Sequence, residues 1–159
     1  MTKTAQLPAR DDLYTTDLCL WTEEQAALLR AGRWPDLDRA NVAEEIESLG
    51  GSQKAEIRSR LAILLLHLLK WEFQPEKRKY GWRATILEQR IRIDDLIDMS
   101  PSLQSWPDAV LAKAYSVAVL GAASETGLPG SVFPKSCPYA IEQIRELGFY
   151  PGTPETDVV

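Results

Sequence analysis

The segment from Leu61 to Leu69 is the longest apolar stretch of the chain, and it restricts the fold more than any other feature. It contains His67 and ends at Lys70, whereas a membrane-spanning helix needs about 20 apolar residues, so we expect a buried helix instead. Apolar residues recur at helical spacing on one stripe and also cover the opposite face; they are Ile57, Leu61, Leu64, Leu65, Leu68 and Trp71, with Ile63, Leu66 and Leu69 opposite. A helix that is apolar on nearly all sides is surrounded by others, which predicts a central helix at about residues 52–73.

Helical periodicity and helix-ending residues divide the rest of the chain. We predict further helices at residues 23–31, 36–49, 82–99, 107–126 and 138–147. Gly50 and Gly51 are predicted to end the 36–49 helix, and Val42, Ile46 and Leu49 to form its buried stripe. No β-type alternation of useful length occurs. The sequence therefore predicts an all-α bundle of five to six helices.

Local signals support several of these helix boundaries. Thr22 and Gln25 form the T-x-x-Q pattern of a capping box, and Asp36 is suited to cap the next helix. Pro107 fits the first turn of its helix, and Gly127 is the expected C-terminal glycine. The 107–126 helix is rich in alanine, and small side chains allow two helix axes to approach closely.

Length and composition are those of an ordinary globular domain. The chain has 159 residues, of which 45% are hydrophobic and 26% charged, and a net charge of −5; these values favour a folded protein over disorder. We expect a flexible arm at residues 1–12, a single helical domain at 13–150 and a flexible tail at 151–159. The polar start lacks the apolar run of a signal peptide, which predicts a cytoplasmic protein without membrane association.

The two cysteines, Cys19 and Cys137, lie far apart in the sequence. Their spacing matches neither a metal-binding pattern nor a disulfide framework, so we predict no metal and no cofactor. Cys19 lies among apolar neighbours and is expected to be buried. Cys137 precedes Pro138 at a predicted helix start, where the helix N-terminus would lower the pKa of a thiol, although a residue at this place more often acts as a cap.

Several long segments resemble a known family. The chain contains "DLCLWTEEQAALLRAGRWPDLD", "NVAEEIESLG", "LLLHLLKWEFQPEKR" and "WRATILEQR", which are similar to the bacterial family known as domain of unknown function 29. The segment "GLPGSVFPKSCPYAIEQI" is similar to that family's closing segment. The resemblance covers roughly residues 14–147. It implies a helical, cytoplasmic protein, and it transfers no catalytic residue because none is assigned in the family.

The acidic helix at 36–49 is the first candidate for a functional site. With Ile46 at the centre of the stripe, about 100° per residue puts Glu45 on its flank and Asn41 just beyond. Glu44 and Glu47 point further toward solvent. A partly buried carboxylate at Glu45 requires a cation, a metal or a shared proton. The alternative is a solvated acidic face with one structural ion pair.

His67, the only histidine, is the second candidate. Burial in an apolar helix lowers the pKa of an imidazole, which suits a general base, and the ring could also join Glu45 on a metal. The alternative is a structural histidine held by a hydrogen bond, because the ligand spacings of metal-binding helices are missing.

An aromatic and basic belt is the third candidate, and it consists of Trp71, Phe73, Lys77, Arg78, Lys79, Tyr80, Trp82 and Arg83. Residues 54–92 hold ten basic and four acidic residues, whereas the remainder holds eight basic and nineteen acidic ones. The basic residues either pair with the acidic helix, Arg83 with Glu45 or Glu44, or bind an external anion such as a nucleic-acid backbone or an acidic partner. Trp71 and Trp82 lie on apolar stripes, which favours core positions over stacking on bases. Because the same chain holds ample acidic residues, internal neutralisation is favoured and nucleic acid is an unlikely partner.

Two main classes of function follow from these candidates. The first is a non-catalytic interaction module that self-associates or binds a protein partner, because no complete catalytic constellation occurs. The second is an enzyme, or a metal- or anion-binding module, with Glu45, His67 and Arg83 as catalytic candidates. Its polar pocket is predicted to contain Asn41, Glu44, Glu45, His67, Trp71, Arg83 and Gln89. Weak nucleic-acid binding through residues 54–92 is a third alternative.

Overall fold

The computed structural model describes residues 10–152, with side chains from residue 13 onward. In this range the chain forms α1 (Arg10–Thr16), α2 (Leu18–Arg30), α3 (Arg39–Phe73), α4 (Tyr80–Met99), α5 (Trp106–Thr126) and α6 (Ile141–Arg145). Short 3-10 turns occur at Trp34–Asp36, Pro75–Lys77, Pro101–Leu103 and Gly130–Val132. No residue between 10 and 152 lies in a strand, and the predicted all-α bundle is confirmed.

The chain divides into two compact units, Met1–Gly50 and Gly51–Val159, where the sequence predicts a single domain at 13–150. The first unit contains α1 and α2, the second contains α4 to α6, and α3 contributes residues to both. Because α1 begins at Arg10, residues 10–12 of the predicted arm are helical. The rest of that arm, residues 1–9, and positions 153–159 of the predicted tail lie outside the described residues.

The third helix is continuous over 35 residues, so the prediction that Gly50 and Gly51 separate two helices is wrong. A glycine ends a helix when it adopts a left-handed conformation, and among the described glycines only Gly32, Gly127 and Gly152 have a positive φ. Gly50 and Gly51 keep the helical conformation. Each makes the helix less favourable than alanine would by about 1 kcal/mol, which weakens a helix without ending it.

The core of the second unit is built around the predicted apolar stripe of α3. At most 1% of the surface is exposed for Ile57, Leu61, Leu64, Leu65, Leu68 and Trp71. The opposite face agrees with the prediction only in part. Leu69 is buried as expected, but Leu66 is half-buried and Ile63 is 41% exposed. The helix is therefore central to the core but open to solvent along one side.

The fourth and fifth helices supply the other walls of this core. Buried residues of α4 include Trp82, Ile86, Gln89, Ile93 and Ile97, which lie on one face at helical spacing. Pro107 lies in the first turn of α5 and Gly127 ends it with a φ of 74°, as predicted. The buried face of α5 contains three small residues, Ala114, Ala118 and Ala122, beside Val110 and Tyr115. A Cβ added at Gly121 would lie 2.4 Å from Leu66 Cδ1, so α5 and α3 are in close contact there.

A buried arginine holds the segment that follows α6. Arg90 of α4 has no exposed surface, and its guanidinium donates hydrogen bonds to the carbonyl oxygens of Ile144 (2.7 Å), Leu147 (3.2 Å) and Phe149 (2.7 Å). Burial lowers the pKa of Arg90, yet an arginine stays charged in proteins. Three peptide oxygens thus replace the water that burial removes from this charge.

The segment after α5 is less helical than the sequence predicts. Since α6 begins at Ile141 and not at Pro138, Cys137 does not lie at a helix N-terminus. Its pKa is raised by burial, where the sequence pattern predicts a lower value. Pro151, the first position of the predicted flexible tail, is buried, and its carbonyl oxygen accepts a hydrogen bond from Arg78 at 3.5 Å.

The start of α2 in the first unit corrects the predicted capping box. Asp17 is the N-cap, and its carboxylate accepts a hydrogen bond from the Leu20 N–H at 3.0 Å. Thr22 therefore lies inside the helix. Gln25 is buried and accepts a hydrogen bond from the backbone N–H of Asp38 at 2.9 Å, so both predicted capping residues have other roles.

Two further expectations for the first unit are wrong. Asp38, rather than Asp36, caps α3, since its carboxylate accepts a hydrogen bond from the Asn41 N–H at 3.3 Å. Cys19 is exposed, not buried, because α2 starts before it and turns its side chain to the outer face of the first turn.

The acidic half of α3 shows the largest departure from the expected burial. Ile46 is 66% exposed and Leu49 is 69% exposed, and only Val42 is half-buried. Helical spacing does align these side chains on one face. In the part of the chain that the structure describes, however, that face is open to solvent.

Candidate interaction surface

Helices α3 and α5 leave a groove on the surface of the second unit. It has a volume of about 510 Å³ and is lined by Arg58, Ser59 and Ala62 of α3 and by Lys113, Ala114, Ser116 and Val117 of α5. Ala62 and Ala114 are buried and have short side chains. The groove therefore has room for apolar side chains of another molecule.

Large apolar side chains are exposed beside this groove. The exposed fraction is 59% for Val117, 73% for Leu120 and 41% for Ile63. Leu120 lies three residues after Val117, and Ile63 lies four residues after Ser59, so helical spacing places both next to the groove. Single exposed apolar residues are common on proteins, but a contiguous patch of them indicates an interaction site.

Two cations lie at the rim of the groove. Arg58 and Lys113 are exposed, and within residues 10–152 neither takes part in a hydrogen bond, a salt bridge or a ring contact. In contrast, Arg60 and Lys70 of α3 each form a salt bridge with a glutamate. The rim thus carries positive charge that remains available to a partner.

His67 lies one turn beyond Ile63 on α3 and is half-buried. Its Nδ1 is 2.9 Å from the carbonyl oxygen of Ile63, so Nδ1 carries the proton in the neutral ring. Burial is the main cause that lowers the pKa of His67, and the charge of Lys70 adds to it, while the Ile63 carbonyl and Glu125 act in the opposite direction. This hydrogen bond is the one expected of a structural histidine; a role as general base stays a prediction.

The acidic candidates form a polar network within the first unit. Glu45 accepts a hydrogen bond from the Tyr14 hydroxyl at 2.8 Å, which raises the pKa of Tyr14 to about 12. Asn41 donates to the carboxylate of Asp38 at 2.7 Å, and this hydrogen bond lowers the pKa of Asp38. Glu44 is exposed. A neutral phenol is thus a partner of Glu45, where the sequence predicts a cation, a metal or a shared proton.

The remaining candidates of the polar pocket lie in the second unit. Trp71 and Arg83 meet at Tyr150, whose ring centre is 5.0 Å from that of Trp71 and 5.4 Å from the guanidinium carbon of Arg83. Gln89 is buried and accepts a hydrogen bond from Arg60 at 3.4 Å. A single pocket that joins the three catalytic candidates stays a prediction.

A second cleft of about 660 Å³ is lined with carboxylates of α4, α5 and the α6 region. Asp94 forms a salt bridge with Arg145 at 2.7 Å, and the other carboxylates are Asp108, Glu142 and Glu146. Within residues 10–152, no group of three or more His, Cys, Asp or Glu side chains is arranged to hold a metal ion.

A family model matches most of the chain. The family is described as Domain of unknown function DUF29, and the match covers residues 13–150. The chain belongs to this family. No curated protein and no solved structure matches it.

The DUF29 match contains α2 to α6 in full, so the groove lies entirely inside the family domain. Among the described residues of this DUF29 chain, no helix has the length and apolar character needed to cross a membrane. The groove is not among the sites that the sequence analysis predicts, although the sequence of α5 contains a signal for an exposed apolar surface. Val117 and Leu120 lie off the alanine face of α5, which makes that helix apolar on two sides.

Proposed function

We propose that this chain is a cytoplasmic, non-catalytic protein-interaction module that binds an acidic, amphipathic helix in the groove between α3 and α5. The observation that supports this most strongly is the exposed apolar patch of Ile63, Val117 and Leu120 beside an open groove. Recognition of an amphipathic helix by an apolar groove is a common mode of binding.

The apolar patch supplies the binding energy in this proposal. Complete burial of a side chain such as Val117 or Leu120 contributes about 1.5–3 kcal/mol. Association costs at least about 4 kcal/mol in lost translational and rotational freedom, so one such residue would not suffice. The three side chains are 41%, 59% and 73% exposed, so burial of their remaining surface contributes only part of the binding energy. The apolar stripe of the bound helix, which is buried against the groove at the same time, contributes the rest.

The cations at the rim determine which helices bind. Arg58 and Lys113 attract carboxylates on the flanks of a bound helix and repel cations there, which gives specificity and a faster encounter. Both are exposed, so their effect is screened by salt.

The basic residues of the 54–92 region support a protein partner over a nucleic acid. Arg90 is fully buried and Lys70 is 7% exposed, so neither reaches a phosphate backbone. Arg60 and Arg92 lie beside Glu56 and Glu88, at 2.7 Å and 3.9 Å. A large part of the positive charge counted in the sequence is thereby used within the chain. The free thiols of Cys19 and Cys137 agree with a reducing, cytoplasmic environment.

Three synthetic helices that differ only in their flanks test the proposal. All three carry the same leucine stripe, and the flanking residues are Glu in the first, Gln in the second and Lys in the third. In fluorescence anisotropy at low salt, we expect the Glu helix to bind at least about tenfold more tightly than the Lys helix. The difference in affinity between the Glu helix and the Lys helix should become smaller at about 500 mM salt, where the Debye length is only a few ångströms.

Two variants of the full chain test which side chains of the groove are responsible for binding and for the preference. Leu120→Asp removes the most exposed apolar contact and should abolish binding of all three helices. A double variant, Arg58→Glu with Lys113→Glu, should transfer the preference to the Lys helix. The proposal is wrong if the wild-type chain binds none of the helices, or binds them all equally well.

A further inference from the structure

We propose that a second copy of this chain supplies the bound helix, through residues 39–50 of α3, the acidic segment. This inference rests on the proposed function and names the partner of the same groove. The chain thus carries both halves of one contact: an apolar groove with a basic rim and an exposed apolar stripe with acidic flanks.

The acidic segment has the side chains that the groove requires. Ile46 and Leu49 are 66% and 69% exposed and lie three residues apart, as do Val117 and Leu120 on α5. Both pairs therefore project from one side of a helix. Two such stripes bury each other's apolar surface when they meet, and each is exposed within a single copy.

The charges of the two surfaces are complementary. The acidic segment holds Glu44, Glu45 and Glu47 against a single cation, Arg39. With Ile46 facing the groove, Glu45 and Glu47 lie on the two flanks at about 100° to either side, which is where the rim cations of the partner copy would stand. Glu47 is exposed, and Glu45 is half-buried and accepts a hydrogen bond from the Tyr14 hydroxyl.

The conformation of the acidic segment further favours binding. It is helical in the single copy, so it pays little ordering entropy on docking. Its length is about 18 Å, which corresponds to roughly three turns. Each copy offers one segment and one groove, and a reciprocal contact between two copies would be closed and two-fold symmetric.

Sedimentation velocity of the full chain tests this, from about 1 μM to about 500 μM. We expect the wild-type mass to rise from that of one copy toward that of two. Ile46→Asp in the acidic segment and Leu120→Asp in the groove should each weaken association at least tenfold. Ile91→Asp is the matched control, because Ile91 is also exposed (48%) but lies on α4, outside both surfaces. Circular dichroism, and an unfolding midpoint that is unchanged at low protein concentration where association does not contribute, establish that each variant is folded.

A mixture of the two variants gives the decisive readout. The Ile46→Asp copy has an intact groove and the Leu120→Asp copy an intact acidic segment, so an equimolar mixture should regain association that neither variant shows alone. Association that survives both substitutions, or that is lost equally in Ile91→Asp, would assign the contact to another surface. A wild-type chain that stays monomeric while its groove binds the Glu helix would overturn self-association and leave the proposed function intact.

Discussion

The two halves of α3 carry similar apolar stripes but lie in opposite environments. In residues 51–73 the stripe from Ile57 to Trp71 is buried to 99% or more. In residues 39–50 the stripe ends in Ile46 and Leu49, which are about two-thirds exposed. Helical spacing thus identifies which side chains share a face, but it does not determine whether another element covers that face.

The difference arises from what surrounds each half. The buried half contacts the alanine face of α5 and the apolar stripe of α4, which supply matching surfaces. The acidic half uses its polar side chains instead, as Asn41 and Glu45 bond to Asp38 and Tyr14. These hydrogen bonds are made beside the apolar stripe, of which Val42 alone is half-buried.

Leucine truncation in each half tests this comparison with the largest expected effect. Leu64→Ala removes a fully buried side chain and should reduce the free energy of unfolding by about 2–5 kcal/mol. Leu49→Ala removes one that is 69% exposed and should change it by no more than about 0.5 kcal/mol. Urea unfolding at low protein concentration, where association does not contribute, measures both. Equal losses would show that Leu49 is buried in solution.

Glycine substitutions sharpen the comparison, since they should act in opposite directions. At Gly121 an alanine Cβ would lie 2.4 Å from Leu66 Cδ1; such overpacking costs about 1–3 kcal/mol, of which alanine's better helix propensity recovers about 1 kcal/mol. We expect Gly121→Ala to lower the free energy of unfolding by about 1 kcal/mol. Gly50→Ala meets no atom within 4 Å and should raise it by about 1 kcal/mol.

Thermal unfolding of the two glycine variants, beside the wild-type chain, gives the result directly. Stabilisation by both substitutions would mean that Leu66 moves aside at no cost and that the close approach of α3 and α5 is not tight. Destabilisation by Gly50→Ala would mean that α3 is interrupted there, as the sequence alone suggests.

The smallest expected effect is the pH dependence at His67. Its pKa is lowered in the folded chain, mainly by burial, so the unfolded chain takes up a proton at a higher pH. This histidine therefore contributes its full stability above the unfolded pKa of about 6.5, and that contribution falls as pH decreases from there toward the lowered folded pKa. In His67→Gln this component is absent.

Proton NMR of the single imidazole, together with urea unfolding of both proteins between about pH 7.5 and pH 5, tests the direction. The stability difference between wild type and His67→Gln should be constant near neutral pH and should shift against the wild type in acid. A folded-state pKa at or above the ordinary value would contradict burial of the ring.

Much of the fold follows from the sequence, because burial and chain termination leave local signals. The stripe from Ile57 to Trp71, the end of α3 before Pro75, and Pro107 and Gly127 at the two ends of α5 are all where the residues predict them. These signals depend on helical spacing, on the missing N–H of proline and on the positive φ of glycine.

The boundary at Gly50 and Gly51 could not be predicted correctly, because a glycine pair is compatible with either a helix end or a weakened helix. The candidate groove escaped prediction for a different reason. Exposure of Val117 and Leu120 depends on which helices lie beside α5, and that is a property of the packed bundle. Charge counting favours internal neutralisation, but it does not identify the partners, since composition does not reveal that Arg90 binds backbone carbonyls.

Arg90 has a consequence for how sequences of this kind can vary. Its guanidinium binds main-chain oxygens of residues 144, 147 and 149, and every amino acid presents the same oxygen at those places. Substitutions at the three acceptor positions would therefore preserve these three hydrogen bonds as long as the backbone path is kept. Analysis of correlated mutations, which detects contacts between side chains, would not detect this interaction. What the arginine requires is the path of the backbone and not the identity of the residues along it.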